Sequence, residues 1–409
     1  MKTDVCVIGA GPAGLMSAIF AAQAGAQVVV IEKNATAGQK LLLTGGGRCN
    51  ITHAGTVDDF VLAYGKSGRF LRHCLHEFSP DATRDFFGQI RIATKVDEAG
   101  CVFPVSESAG NVQYALLDQC RKSGVQFVFG RGVEGIKKHG AEFIISAGKE
   151  VLTAHKVIIA TGGASYPDTG STGDGYKLAK SLGHTIIEPK PALVPLITSE
   201  KWCAELSGIS RDNVTISAMI DKKKVSVSGA MIFTYDGISG PAVLDLSRLL
   251  ADYFPAKKPI EIFVDVIPAM NEAKLEEYLM GQLSQYSKKI IANVLFELVP
   301  KKLGGLICDQ AGITDTTASQ LKKEQRRKII QLLKKLPLSI EATAPIDEAT
   351  ITRGGVSTAE IAPTTMQSKI CPGLFFAGET IDVDGPCGGY NLQIAWSTGV
   401  LAGKLVARQ

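Results

Sequence analysis

The sequence predicts an α/β protein: a two-segment, Rossmann-like dinucleotide-binding domain built from both chain ends, with an inserted β-rich domain and a small helical domain. Three observations predict this. A strand, glycine turn, helix and second strand occupy residues 5–32 (VCVIGAGPAGLMSAIFAAQAGAQVVVIE). The same buried-strand, glycine-turn style returns in residues 349–356 and 373–378. Between them the texture changes, first to alternating strands and then to a basic helical stretch. The expected segments are 1–188 and 346–409 for the nucleotide fold, 189–269 and 337–345 for the β-rich insert, and 270–336 for the helical domain.

Each element of the first unit has a physical reason. Val5, Val7 and Ile8 make a buried strand, and Gly9, Gly11 and Gly14 follow in G-x-G-x-x-G spacing. Gly9 permits the tight turn, Gly11 lets a pyrophosphate approach the backbone, and Gly14 lets the helix lie close on the sheet. Pro12 and Ala13 open that helix, whose unpaired N–H groups and positive dipole end face the phosphates. Glu32 ends the second strand, eighteen residues past Gly14, placed to accept from both ribose hydroxyls, and Lys33 follows it.

The next stretch is a glycine-dense loop with Lys40, Thr44, Gly46, Gly47, Arg48, Cys49 and Asn50. Its three successive glycines exclude a regular element and suit contact with a flat ring or a phosphate. Lys40 and Arg48 are candidates to neutralise a pyrophosphate or a reduced ring. Residues 58–87 read helical. The buried run 157–160 ends in Thr161, Gly162 and Gly163, a second glycine turn at a strand end. The three prolines near 189–195 mark a linker or a crossing between domains, and 230–245 reads as a loop.

The C-terminal loop distinguishes FAD from NAD. Gly378 and Glu379 open it, Asp382 or Asp384 is placed for ribityl hydroxyls, and Gly388, Gly389, Tyr390, Asn391 and Leu392 lead into a helix starting near Asn391. An NAD-only dehydrogenase rarely needs such a loop. A flavin uses it, because a helix N-terminus stabilises the charge that reduction puts on the N1–C2=O edge. Cys387 is a candidate acid in that loop, with tight packing of a small residue as the equal alternative. Cys49 reads as packing.

Bulk properties narrow the class. The 409 residues are 45% hydrophobic and 21% charged, with no apolar run of membrane-spanning length. The chain enters its first strand directly, so neither a leader peptide nor a membrane anchor is expected and a cytoplasmic location is. Nine dispersed Cys show no C-x-x-C pair, and six dispersed His show no metal-ligand spacing, so no metal is expected. Residues 271–335 hold twelve Lys/Arg against seven Asp/Glu. Lys322, Lys323, Arg326, Arg327 and Lys328 make a compact patch there, a solvated helix face or a contact for RNA phosphates.

The stretches GAGPAG, GQKLLLTGGGRCN, ATGGASYPDTGSTGDGY, TRGGV and GLFFAGETIDVDGPCGGYNLQIAWSTG resemble the BaiN/RdsA (YhiN-type) flavoprotein family over nearly the whole chain. The resemblance implies a glutathione-reductase type FAD domain in two segments and NAD(P)/FAD-dependent oxidoreductase activity. NAD(P)H is the implied small-molecule electron donor. Roles in that family include reducing a uridine of large-subunit ribosomal RNA, oxidising a small amine, and a reductive step on bile acids. The expectations are therefore a 23S rRNA uridine reductase, an oxidase or reductase of a small amine or other metabolite, or a non-catalytic FAD-containing sensor. No membrane partner and no obligate protein partner is expected.

Overall fold

The computed structural model describes residues 1–220, 222–254 and 259–407. The chain divides into two compact units, Met1–Ala192 with Ile346–Gln409, and Leu193–Pro345.

The first unit is built on one sheet. Gln126–Phe129, Val28–Glu32, Lys2–Ile8 and Glu150–Ile159 lie side by side in parallel. The last of these is long enough to pair twice. Its first half pairs antiparallel with Glu142–Ala147, which pairs with Gly135–His139, while its end runs parallel to Leu374–Phe376. Val5 to Ile8 and Val28 to Ile31 are buried, as a parallel sheet covered on both faces requires. The strand from near the C-terminus thus completes the sheet begun by the N-terminus.

Two helices pack on each other with little space between them. Pro12–Gln23 and Tyr390–Val406 run parallel. A Cβ on Gly399 would stand 2.6 Å from the Ala13 carbonyl oxygen, and one on Gly403 would stand 2.5 Å from that of Ser17. The step of four is the same on both helices, so the contact follows one ridge.

Several local expectations change. Residues 58–87 form three helices, Val57–Ala63, Gly68–Glu77 and Pro80–Gln89. Ser79 caps the third by accepting from Ala82 N–H, and Pro80 fits its first turn. Pro189 and Pro191 belong to a strand, Ile186–Ala192, rather than to a linker, and the chain crosses into the second unit directly after it, as the alternative reading expects. Among the described residues it pairs only with Ile351–Val356, so its other edge is free to tolerate the missing N–H groups. Residues 230–245 are not a loop either: they hold the end of one strand, a short strand Gly237–Ser239 and the start of helix Pro241–Leu250.

The second unit is a closed antiparallel barrel. Its order is Leu196–Thr198, Gly237–Ser239, Lys223–Phe233, Ser210–Ile220, Ile260–Asp265 and Leu336–Thr343, closing on the first strand. Val214, Ile216, Ile262, Val264, Leu338 and Ile340 alternate into its core. Helices Glu272–Gln285, Lys301–Ala311 and Lys323–Lys334 sit between its last two strands in sequence. Among the described residues, no helix is long and apolar enough to cross a membrane.

Two predictions follow from this packing. Gly399→Ala should destabilise by about 1–3 kcal/mol in urea unfolding, because overpacking against Ala13 outweighs the better helix propensity of alanine; a neutral or stabilising result would refute the close contact. His184 is buried, with Nε2 at 2.9 Å from Ser368 Oγ and Nδ1 at 3.2 Å from Glu360. Burial pushes its pKa below the ordinary value of 6.5, and Glu360 only partly opposes this. The unfolded chain therefore takes the proton first. Its contribution to stability is complete above pH ~6.5 and is lost as pH falls from there through the folded value. A His184→Gln variant should lose that slope in thermal melts taken between neutral and mildly acid pH.

Candidate cofactor and acceptor site

The first glycine turn separates glycines required by the fold from one that is not. A Cβ on Gly9 would lie 2.6 Å from the Ala160 carbonyl oxygen, and one on Gly14 would lie 1.9 Å from that of Gly9. A Cβ on Gly11 would meet nothing within 4 Å. Sheet and helix packing therefore account for Gly9 and Gly14, while Gly11 keeps open space beside the backbone. Helix Pro12–Gln23 begins there with no capping side chain and no acid in its first turn, an arrangement ready for an anion. Ala13 packs within the fold, its Cβ 2.7 Å from the Cβ position of Gly378.

Glu32 is nearly buried, and its two oxygens accept from Ala10 N–H at 2.7 Å and Asn34 N–H at 2.8 Å. Those bonds orient the carboxylate and leave a further lone pair on each oxygen for hydroxyl donors. Lys33 turns away, bonding Thr172 Oγ1 at 2.6 Å and Asp174 at 2.8 Å. Partial burial alone would raise the Asp174 pKa, but bonds from Lys33 and Thr172 win and hold it below its usual value.

The second glycine-rich loop approaches the start of the C-terminal helix. Lys40–Gly47 forms two short 3₁₀ turns broken at Thr44 to Gly46, and Thr44 Oγ1 donates to the Leu41 carbonyl at 2.6 Å. Gly45, Gly46, Gly47 and Cys49 all have positive φ. Cys49 is buried, and burial pushes its thiol up to about 12, which makes it an inert packing residue. Asn50, with its amide oriented to satisfy its neighbours, donates to the Thr52 and Val102 carbonyls and accepts from Gly389 N–H at 3.2 Å. Arg48 is exposed. Its guanidinium lies 4.3 Å from the centre of the Phe103 ring, with Nε donating to the Gly45 carbonyl at 3.1 Å.

The C-terminal helix begins at Tyr390, one residue before the expected position, with Gly389 at φ +97° and no capping side chain. The Tyr390 ring stacks on His53 and packs against Phe60, while Tyr64 Oη donates to its carbonyl at 2.9 Å. The Asn391 side chain acts on the protein: it accepts from Gly385 N–H and donates to the Gly385 and Pro386 carbonyls, clamping the loop that contains Cys387. Leu392 packs against the hydrophobic core. Because Ala13 faces Gly399, this helix starts nine residues before the contact and the first helix one, an offset of roughly 12 Å between two starts that run in the same chain direction.

Between these ends, four separated motifs converge on one carboxylate. Glu379 accepts from Lys40 Nζ at 2.9 Å and from Thr352 N–H at 2.7 Å, and Ser165 Oγ bonds Lys40 Nζ at 2.6 Å. Lys40 is therefore committed to this ion pair and is not a free counter-charge. Thr161 Oγ1 meets Thr380 Oγ1 at 3.3 Å, and Cβ atoms on Gly162 or Gly163 would run into Ser171 and Thr352. Gly378 N–H donates to Thr398 Oγ1 at 2.9 Å. Asp384 is buried beside Arg353 at 3.7 Å.

Sequence reading missed Ser165, Thr352, His53, Cys101 and Phe103. Ser165 and Thr352 lie within quoted motifs, so those motifs held the signal. Cys101 and Phe103 lie on a strand with no motif, and their placement depends on pairing with Thr52–His53. In the other unit, Lys322, Lys323, Arg327 and Lys328 are exposed on or beside helix Lys323–Lys334. Arg326 departs from that patch: it is largely covered and reaches Glu276 at 3.3 Å. Among the described residues no cluster of His, Cys, Asp and Glu is arranged to hold a metal.

With this geometry established, known proteins sharpen its meaning. The family model described as "HI0933-like protein Rossmann domain" matches residues 3–405. The 3-dehydro-bile acid delta(4,6)-reductase of Clostridium scindens is 34% identical over 98% of both chains. The ribosomal RNA dihydrouridine synthase of Haemophilus influenzae is 31% identical, again over 98% of both. Among solved structures, a 3-ketosteroid delta1-dehydrogenase from Sterolibacterium denitrificans shares the fold, with a TM-score of 0.54 and 12% identity over 100% of this chain and 99% of that one. A full-length family match, an open glycine cradle at an uncapped helix and a second glycine loop from the far end of the chain agree: this protein belongs to the HI0933-like family and is an FAD-dependent oxidoreductase.

Proposed function

We propose that this chain reduces a carbon–carbon double bond conjugated to a carbonyl, and that a uridine of 23S ribosomal RNA is its acceptor. The observation that carries the cofactor arrangement is the helix pair. Two uncapped N-termini running in the same direction, offset by roughly 12 Å, suit a pyrophosphate at one and a flavin ring at the other, joined by an extended ribityl chain. In this reading Gly11 and Ala13 face the pyrophosphate, Glu32 takes the ribose hydroxyls, Gly46 and Gly47 leave room along the cofactor, and Gly388 to Tyr390 stand beside the ring. Bound FAD supplies two-electron hydride chemistry at N5. NAD(P)H is the proposed reductant.

Both curated relatives are named for the same class of reaction. Converting uridine to dihydrouridine saturates a double bond conjugated to a carbonyl, and so does reducing a 3-dehydro-bile acid at its 4,6 positions. The exposed Lys322, Lys323, Arg327 and Lys328 favour a polyanionic acceptor. The 34% identity to the bile acid enzyme supports the second reading, a small conjugated carbonyl compound.

Three measurements test these assignments. Gly11→Ala should leave unfolding of the cofactor-free protein within about 0.5 kcal/mol of wild type, since the new methyl meets open space, and should still abolish or sharply weaken FAD retention; full FAD occupancy would remove the pyrophosphate from this turn. Under anaerobic conditions NADPH or NADH should bleach the flavin, and subsequent incubation with 23S rRNA transcript should yield dihydrouridine. No bleaching with either donor counts against a reductase, while bleaching with unmodified RNA moves the acceptor to a small molecule. Replacing Lys322, Lys323, Arg327 and Lys328 together by Glu should weaken transcript binding at least about tenfold and flatten its salt dependence; unchanged binding would reject that face as the RNA contact.

A further inference from the structure

Of the nine cysteines only Cys101 and Cys387 are not buried, and both lie at the start of the C-terminal helix. A Cβ on Gly388, the residue after Cys387, would stand 3.4 Å from Cys101 Sγ and 3.4 Å from the His53 ring. Cys101 opens the strand Cys101–Pro104, opposite His53 in the ladder. Side chains two apart on a strand share a face, so Cys101 and Phe103 stand side by side about 7 Å apart. The Arg48 guanidinium carbon lies over that Phe103 ring, 4.3 Å from its centre. Stacking and the bond to Gly45 fix it in place, and its two Nη groups make no hydrogen bond among the described residues. An exposed guanidinium held over Phe103 therefore acts on the same strand face as a partly exposed thiol, close enough for its charge to be felt there, and that thiol lies beside the uncapped helix end.

We propose that Arg48 and Cys101 form the acceptor subsite: the Arg48 Nη groups take the carbonyl oxygen of the acceptor, and the Cys101 thiol holds the proton destined for its neighbouring carbon. This rests on the conjugated-carbonyl reading above. With reduced FAD bound, a hydride would reach one carbon of the acceptor and the electron pair of its double bond would move onto the carbonyl oxygen as an enolate, which the Arg48 guanidinium would stabilise. The enolate then collapses by taking the Sγ–H proton at its other carbon, and the thiolate is reprotonated by water. Burial pushes the Cys101 thiol above its ordinary range and Asp97 adds to this, while a bond from Asn50 and the Arg48 charge pull the other way. The net upward shift keeps Sγ protonated at neutral pH, the state a donor needs.

The test uses the full-length, FAD-loaded protein and 4-chlorophenol, whose phenolate imitates a planar enolate. Wild type should develop a long-wavelength charge-transfer band on titration. Arg48→Gln should weaken phenolate binding at least tenfold at unchanged FAD content, with Arg48→Lys intermediate. Wild-type affinity in Arg48→Gln, or loss of FAD from it, overturns the anchor and returns Arg48 to a structural or cofactor role. Iodoacetamide should alkylate Cys101, and 4-chlorophenol should protect it; equal labelling with and without the phenol removes Cys101 from the subsite. With 2-cyclohexen-1-one and NADPH, Cys101→Ala should lower kcat about 100-fold with KM within threefold, with Cys101→Ser partly restoring it. Unchanged kcat overturns the proton role. The phenol and alkylation arms need neither acceptor nor NADPH. A wild type that fails to turn over therefore refutes the reductase reading, while those arms still decide the subsite.

Discussion

The close parallel contact between the first and last helices is the constraint on which the cofactor unit depends. Ala13 against Gly399 and Ser17 against Gly403 bring two backbones together where any side chain on the glycines would strike a carbonyl oxygen. Gly378 extends the same contact, since its own Cβ would meet that of Ala13. This packing fixes the heading and offset of two helix N-termini. Had the contact slipped by one turn, the two positive ends would move together or apart by roughly 5 Å.

The electrostatics follow from that frame. Neither helix has a capping side chain or an acid in its first turn, so both dipole ends stay available. One largely covered charge pair in this unit is satisfied within the protein. Lys40 and Glu379 neutralise each other, both about four-fifths covered, and tie together residues from four separated stretches. Breaking such a covered pair leaves an uncompensated charge, so the pair acts as a strut between motifs rather than as a source of net stability.

Much of the frame could be read from the chain, and the reasons are local. The turn at Gly9, the helix after it and Glu32 form a contiguous unit whose spacing carries its own physics. The split nucleotide fold was readable because glycine turns recur after buried strands at both ends. The barrel's closure was not, because pairing of Leu196–Thr198 with Leu336–Thr343 joins strands about 140 residues apart and leaves no periodic mark. The prolines do mark the crossing into the second unit, but not that Pro189 and Pro191 sit in a strand: a free edge tolerates them, and edge status is a tertiary property. Lys40 and Asn391 sit in glycine-rich motifs suited to ligands, yet their polar atoms are spent on Glu379 and on the 385–386 backbone. Arg326 looked like part of a charged run until Glu276, fifty residues earlier, was seen to cover it. Only the Phe103 platform shows why Arg48 is held still.

The joining of the two chain ends also governs how the protein comes into being. Ala13 waits for Gly399, a partner 386 positions downstream, and the central sheet lacks its Leu374–Phe376 member until nearly everything else has been made. A chain emerging from the ribosome must therefore carry an apolar, Ala-rich helix surface and an open sheet border through most of its synthesis. The barrel, whose strands all lie within 196–343, has every partner it needs much sooner. Nascent protein is thus more exposed to aggregation through the nucleotide fold than through the barrel.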